Sequence, residues 1–321
     1  MGRLQPVSGS GVANGYCRPT PAAGGANADF RRAAILRNVI LPRLQHNIEL
    51  RGNQLRTSSL QSSDTIPEKC ASANGRQSRS RRTGPLSTQN MGGPLVHNLA
   101  PELWVVDRLF KLPVVKAEVG TRMTIVGLRD RGLLLHSPVK LELKLRQALD
   151  ELGEVRAIVA PSRVHHLFVA DYLAAYRQAK SYAAPGLETK RSDLRFDGVL
   201  TDIPPELWRR QLEQHVFRGA PVLNEVIFFH PVSRTVIFTD LVFNLPASVR
   251  RSAPMFFWLL DAPGKFGPHR LIRARAIRDR AAARQSVDRI LEWDFERVIV
   301  SHGDVVNAGG RERVASAFAY L

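Results

Sequence analysis

The sequence predicts an α/β (α+β) fold, and three observations predict it. From Met91 onward, short β-branched and aromatic runs alternate with stretches at helical spacing. Several of the strands come as turn-linked pairs, and ligand-type polar residues recur directly after apolar strands.

Residues 1–90 share none of these features. They carry 13 basic and 4 acidic residues, few aromatics, and segments such as "SANGRQSRSRRTG" with neither a helical nor a strand period. Such a segment buries too little apolar surface to offset its chain entropy, so a disordered tail is expected, with one short amphipathic helix at "FRRAAILRNVILPRLQ". The expected organisation is therefore a basic tail, 1–90, and one folded domain, 91–321. The tail reads as an over-extended start before Met91. Alternatively, being rich in Arg and Ser and poor in acids, it reads as an organellar transit segment. The corresponding locations are the cytoplasm and an organelle.

The elements of the domain follow in order. "LWVVD" is a strand, and "RMTIVGL" and "GLLLHSP" form an antiparallel pair around "RDRG". "VKLELKLRQALDELG" has helical spacing and a terminal glycine, and "VRAIVA" is a buried strand that stops at Pro161. A helix, "FVADYLAAYRQA", and a short strand in "KSYAAPGL" come next. In "NEVIFFHPVSRTVIFTDLVFN" two strands flank a turn at 231–234. That register sets His230 against Thr235 and, continued, Glu225 against Asp240. "SAPMFFWLLDA" and "AIRDRAAARQSVDRILEWD" read as helices, "RVIVS" as a strand, and a last helix starts at Gly310.

Charge and cysteine content exclude several classes. The net charge is +17, of which the tail supplies +9, leaving a moderately basic domain without the aromatic-basic interleaving of single-strand binders. Nucleic acid is thus not an expected partner. Both cysteines, Cys17 and Cys70, lie in the tail, so the domain has no thiolate site. No apolar run approaches the roughly 20 residues of a membrane span.

Three stretches share one description: His165 and His166 after "VRAIVA", Asp240 in "VIFTDL", and His302 in "VIVSHGD". Rigid strands hold such loop residues in place, and imidazole with carboxylate suits zinc, or non-haem iron or manganese. Together with "LWVVD", "RMTIVGL", "LLLHSPV", "APSRVHHLF" and "VSHGD", this order resembles the metallo-β-lactamase-fold superfamily, and more closely a divergent branch classed as a domain of unknown function. The resemblance implies a four-layer αβ/βα sandwich. It also implies a depleted site, because Pro161 and Arg163 stand where the first two histidines of the H-x-H-x-D-H motif belong, and "GAPVLNE" lacks the mid-chain histidine.

One ligand set then survives: His165, His166, Asp240 and His302. The expected cofactor is one divalent ion, zinc first, iron or manganese as alternatives, and none if the site is vestigial. The expected function is a metallo-hydrolase acting on an ester, thioester or phosphoester. Asp240 would bind the ion or orient water, Arg163 would clamp an anionic substrate group, and Glu225 would be a ligand or base. The competing readings are a non-catalytic module for a small anion on the same fold, and a nucleic-acid-processing protein.

Overall fold

The computed structural model describes residues 95–111, 118–251 and 260–321. The expected tail with its helix, and most of the helix read at 252–262, lie outside the described residues.

One sheet has seven strands in sequence order: β1 (His97–Ala100), β2 (Leu103–Lys111), β3 (Glu118–Gly127), β4 (Gly132–His136), β5 (Glu154–Ala160), β6 (Lys180–Ala183) and β7 (Gly198–Val199). The first four run antiparallel, and β4 to β7 are parallel. Parallel neighbours need crossovers, and helices α1 (Leu143–Leu152), between β4 and β5, and α2 (Val169–Ala175), between β5 and β6, supply two of them. The second sheet runs in the order β13 (Arg297–Ile299), β10 (Thr235–Ile237), β9 (Val226–His230), β8 (Glu213–Val216). A two-stranded ribbon, β11 (Phe243–Asn244) with β12 (Phe266–Gly267), follows it. Two later helices, α3 (Arg280–Leu291) and α4 (Gly310–Ala317), complete the chain.

Side-chain alternation turns these elements into four layers. On the first sheet Leu134, Ala157 and Val159 face the second sheet, where Phe228, Ile237 and Ile299 meet them in a shared core. Their neighbours Leu135, Ile158 and Ala160 point the other way and pack against Leu145 and Leu149 of α1 and Tyr172 of α2. On the second sheet Phe229, Val236 and Val298 face outward to Val287 and Ile290 of α3 and Val314 of α4. Burying each large apolar side chain contributes about 1.5–3 kcal/mol, so both sheets are fixed between two apolar faces. The expected αβ/βα sandwich is the observed architecture.

The hairpin has the register read from the sequence, with His230 opposite Thr235 and Phe228 opposite Ile237. Four strands, β1, β7, β8 and β12, are absent from the sequence reading. They are two to four residues long and take their strand character from pairing with their neighbours.

Candidate metal centre

The loops after β5, β10 and β13 bring His165, Asp240 and His302 together. His165 Nε2 lies 3.1 Å from Asp240 Oδ1 and 3.2 Å from His302 Nε2, and His302 Nε2 lies 3.5 Å from the same carboxylate oxygen. Donors about 2.0–2.1 Å from a tetrahedral ion are about 3.3 Å from one another, so this triangle has the edges of a metal site. Among the described residues it is the one His/Cys/Asp/Glu group close enough to hold an ion.

Each donor is held by a partner on its far side. His302 Nδ1 is 2.7 Å from the carbonyl of Gly120 on β3, which can only accept, so the neutral ring presents a lone pair at Nε2. His165 Nδ1 is 2.6 Å from Ser137 Oγ at the end of β4. Ser162 donates its hydroxyl to Asp240 Oδ2 at 3.1 Å and accepts from the backbone N–H groups of Val164 and His165, so one serine shapes the loop and leaves Oδ1 free for the cluster. Phe243 stacks on the His302 ring, centroids 5.2 Å apart.

Two imidazole nitrogens and a carboxylate oxygen aimed at one point require a cation or a proton between them. The electrostatics agree. Burial pushes the Asp240 carboxyl up, but His165 and His302 more than offset it and hold the group well below the usual carboxylate range. Burial pulls His165 down, and the charge of Asp240 carries it above its ordinary value. The residues present therefore fit a divalent ion.

Loop geometry explains why a glycine follows His302. Gly303 has φ +112°, and a Cβ there would lie 2.1 Å from the carbonyl oxygen of Asn244, with which it forms a bridge. Arg122 fixes the same loop from β3: its Nη1 donates to the carbonyls of Val300 and Gly303 at 2.7 and 2.8 Å, and its Nε is 2.8 Å from Asp107. Asp107 ends the "LWVVD" run, so the early motif serves the last ligand.

Three sequence expectations meet different surroundings. His166 is not in the cluster. Its Nδ1 is 3.0 Å from Nη1 of Arg191, and burial, reinforced by Lys190 and Arg191, pushes it down to about 3, so it is a neutral acceptor tying the loop to a guanidinium. Glu225 stands behind Asp240: its carboxylate accepts the backbone N–H groups of Thr239, Asp240 and Leu241 at 2.6–2.9 Å, shaping the turn that carries Asp240. Burial, then the charge of Asp240, raises Glu225 to about 7. Arg163 donates to the carbonyl of Pro221 at 3.0 Å and packs near Gly186, so its guanidinium is engaged away from the expected clamp.

Ser137, Ser162 and Arg122 were invisible as site residues. "HSP" reads as a turn and "RMTIVGL" as a strand with one polar position. The only available signal was position: Ser137, like the ligands, follows a buried strand.

The four-layer sandwich, with a His-Asp-His cluster past the strand ends of its two sheets, is the metallo-β-lactamase fold. Residues 101–259 match a family model described as a domain of unknown function, DUF4336. Among solved structures the chain is similar to a metallo-β-lactamase from Pontibacter korlensis, at 14% identity and TM-score 0.51 over 70% of this chain and 99% of that one. It is equally similar to the mono-zinc form of the FIM-1 metallo-β-lactamase from Pseudomonas aeruginosa, at 12% identity and TM-score 0.51 over 70% and 94%. At such identities the likeness is one of fold. No curated protein matches the chain in sequence.

Proposed function

We propose that the protein is a metal-dependent hydrolase with one divalent ion held by His165, Asp240 and His302, acting on an ester, thioester or phosphoester. The observation that carries this reading is the convergence of three donor atoms at 3.1, 3.2 and 3.5 Å. Two nitrogens and one oxygen suit zinc, with iron or manganese the alternatives for a two-histidine, one-carboxylate set. A relative of the same fold is described in a mono-zinc form, which supports a single ion.

Three protein donors, rather than four, are the arrangement of catalytic sites, which keep one position for water or substrate. When bound, the ion supplies Lewis-acid polarisation of a carbonyl or phosphoryl oxygen and lowers the pKa of a water molecule. The chain's own residues orient. Ser137 and Gly120 set the faces of the two imidazoles, Ser162 takes the second oxygen of Asp240, and Glu225 fixes the turn beneath it.

Elemental analysis of the purified chain tests this directly. About one equivalent of metal is expected in the wild type and in His166→Ala, and a background level in His165→Ala, Asp240→Ala and His302→Ala. Metal at background in the wild type, or equal content in all five proteins, overturns the proposal.

A further inference from the structure

A second feature lies one ring beyond the metal centre. Phe243, stacked on His302, also meets His269 edge-on with centroids 4.7 Å apart. His269 lines a cavity of about 600 Å³ between the β12 loop and α4. Cavities of roughly 300–1,000 Å³ are the usual size for small-molecule sites. Gly267 makes the wall possible: with φ +129°, its missing Cβ would sit 2.8 Å from the Cβ of Ala317, so β12 lies directly against α4.

The cavity is lined by Lys265, Arg270, Arg273 and Arg313 against two carboxylates, Asp261 and Glu312. Asp261 is engaged by Lys265 at 2.7 Å and lies 4.0 Å from Arg270. Arg273 and Arg313 form no ion pair with a carboxylate among the described residues. Arg273 is also held in place, its guanidinium 4.4 Å above the Tyr320 ring and its Nε donating to the carbonyl of Pro268 at 3.0 Å. A fixed guanidinium without a carboxylate, beside further cations, has the geometry that recognises phosphate-type oxyanions through paired N–H donors.

We propose that this cavity binds the phosphate-type oxyanion of a small molecule, and that Arg270, Arg273 and Arg313 recognise it. That the bound molecule is the substrate rests on the metal-centre reading, the cavity wall being linked to the His302 ring through His269 and Phe243. The anion-binding role that sequence reasoning gave to Arg163 then falls to a cluster more than 100 residues later in the chain.

The test is calorimetric titration of the full chain with inorganic phosphate in the presence of a chelator, so that its outcome does not depend on any metal. Saturable binding is expected, weakened about tenfold or more in the Arg270→Ala/Arg313→Ala double variant, as removal of charged hydrogen-bond donors entails. Both side chains are exposed, so the variant should keep the wild-type melting temperature. Charge reversal in Arg313→Glu should weaken binding at least as much as Arg313→Ala. No saturable binding by the wild type, or equal binding by the double variant, overturns the proposal. Binding that appears only when the chelator is omitted places the anion at the metal centre and overturns it equally.

Discussion

Gly303 shows how one residue conditions the centre. Its φ of +112° and the 2.1 Å approach of a would-be Cβ to Asn244 O leave no room for any side chain. Gly303→Ala must therefore shift either the β11 ribbon or the His302 loop, at a cost of about 2 kcal/mol or more. Urea denaturation should show that loss, and elemental analysis should show reduced metal content in the same protein. At this scale the sequence was partly legible. His165, Asp240 and His302 could be picked out because ligand-type residues after buried strands are few. The choice between His165 and His166 was not legible, because it is made by Arg191, which takes His166 Nδ1 from 25 residues away. Ser137 was missed for a related reason: a hydroxyl in a turn gains meaning only when an imidazole nitrogen stands 2.6 Å from it.

Among the elements, the hairpin β9–β10 was the most legible, since two apolar runs around a short turn admit few registers and the pairing of His230 with Thr235 brings Glu225 beneath Asp240. Contacts between sheets were not legible, and Arg122 makes one of them. Placed on β3 opposite Asp107, it reaches carbonyls nearly 180 residues away and ties the first sheet to the loop after β13. Arg122→Leu leaves two carbonyls and a carboxylate without their donor. The predicted consequence is a His302 loop less well held and metal affinity lower by about 10 to 100-fold, the usual effect of losing a group that orients a ligand. Competition with a chromogenic chelator measures it. Unchanged affinity would show that the loop holds its shape without the arginine.

For the molecule as a whole, the three apolar layers described lie within residues 95–321, so a chain lacking residues 1–90 should still unfold cooperatively in a thermal scan. A broad, non-cooperative melt would assign the tail a structural role. Burial also keeps several histidines neutral. Burial pushes His136 and His166 down to about 3 and His269 down to about 4, against 6.5 in an open chain. Folded-state values below the unfolded ones mean that the unfolded chain takes up protons first as the pH falls. The contribution of these three histidines is therefore full above about pH 6.5 and declines toward pH 4, offset in part by Glu225 and His165, whose raised values act in the opposite sense. Urea midpoints at pH 7 and pH 5 should differ in that direction, and His136→Leu should reduce the difference.

The three donors do not share a layer. His165 follows a strand of one sheet, and Asp240 and His302 follow strands of the other. An ion bound by all three thus staples the two sheets together at their strand ends, beside the position left open for water or substrate. Stripping it with a strong chelator should therefore lower the thermal midpoint of the whole sandwich and not only loosen one loop, because binding to the folded state alone adds to its stability.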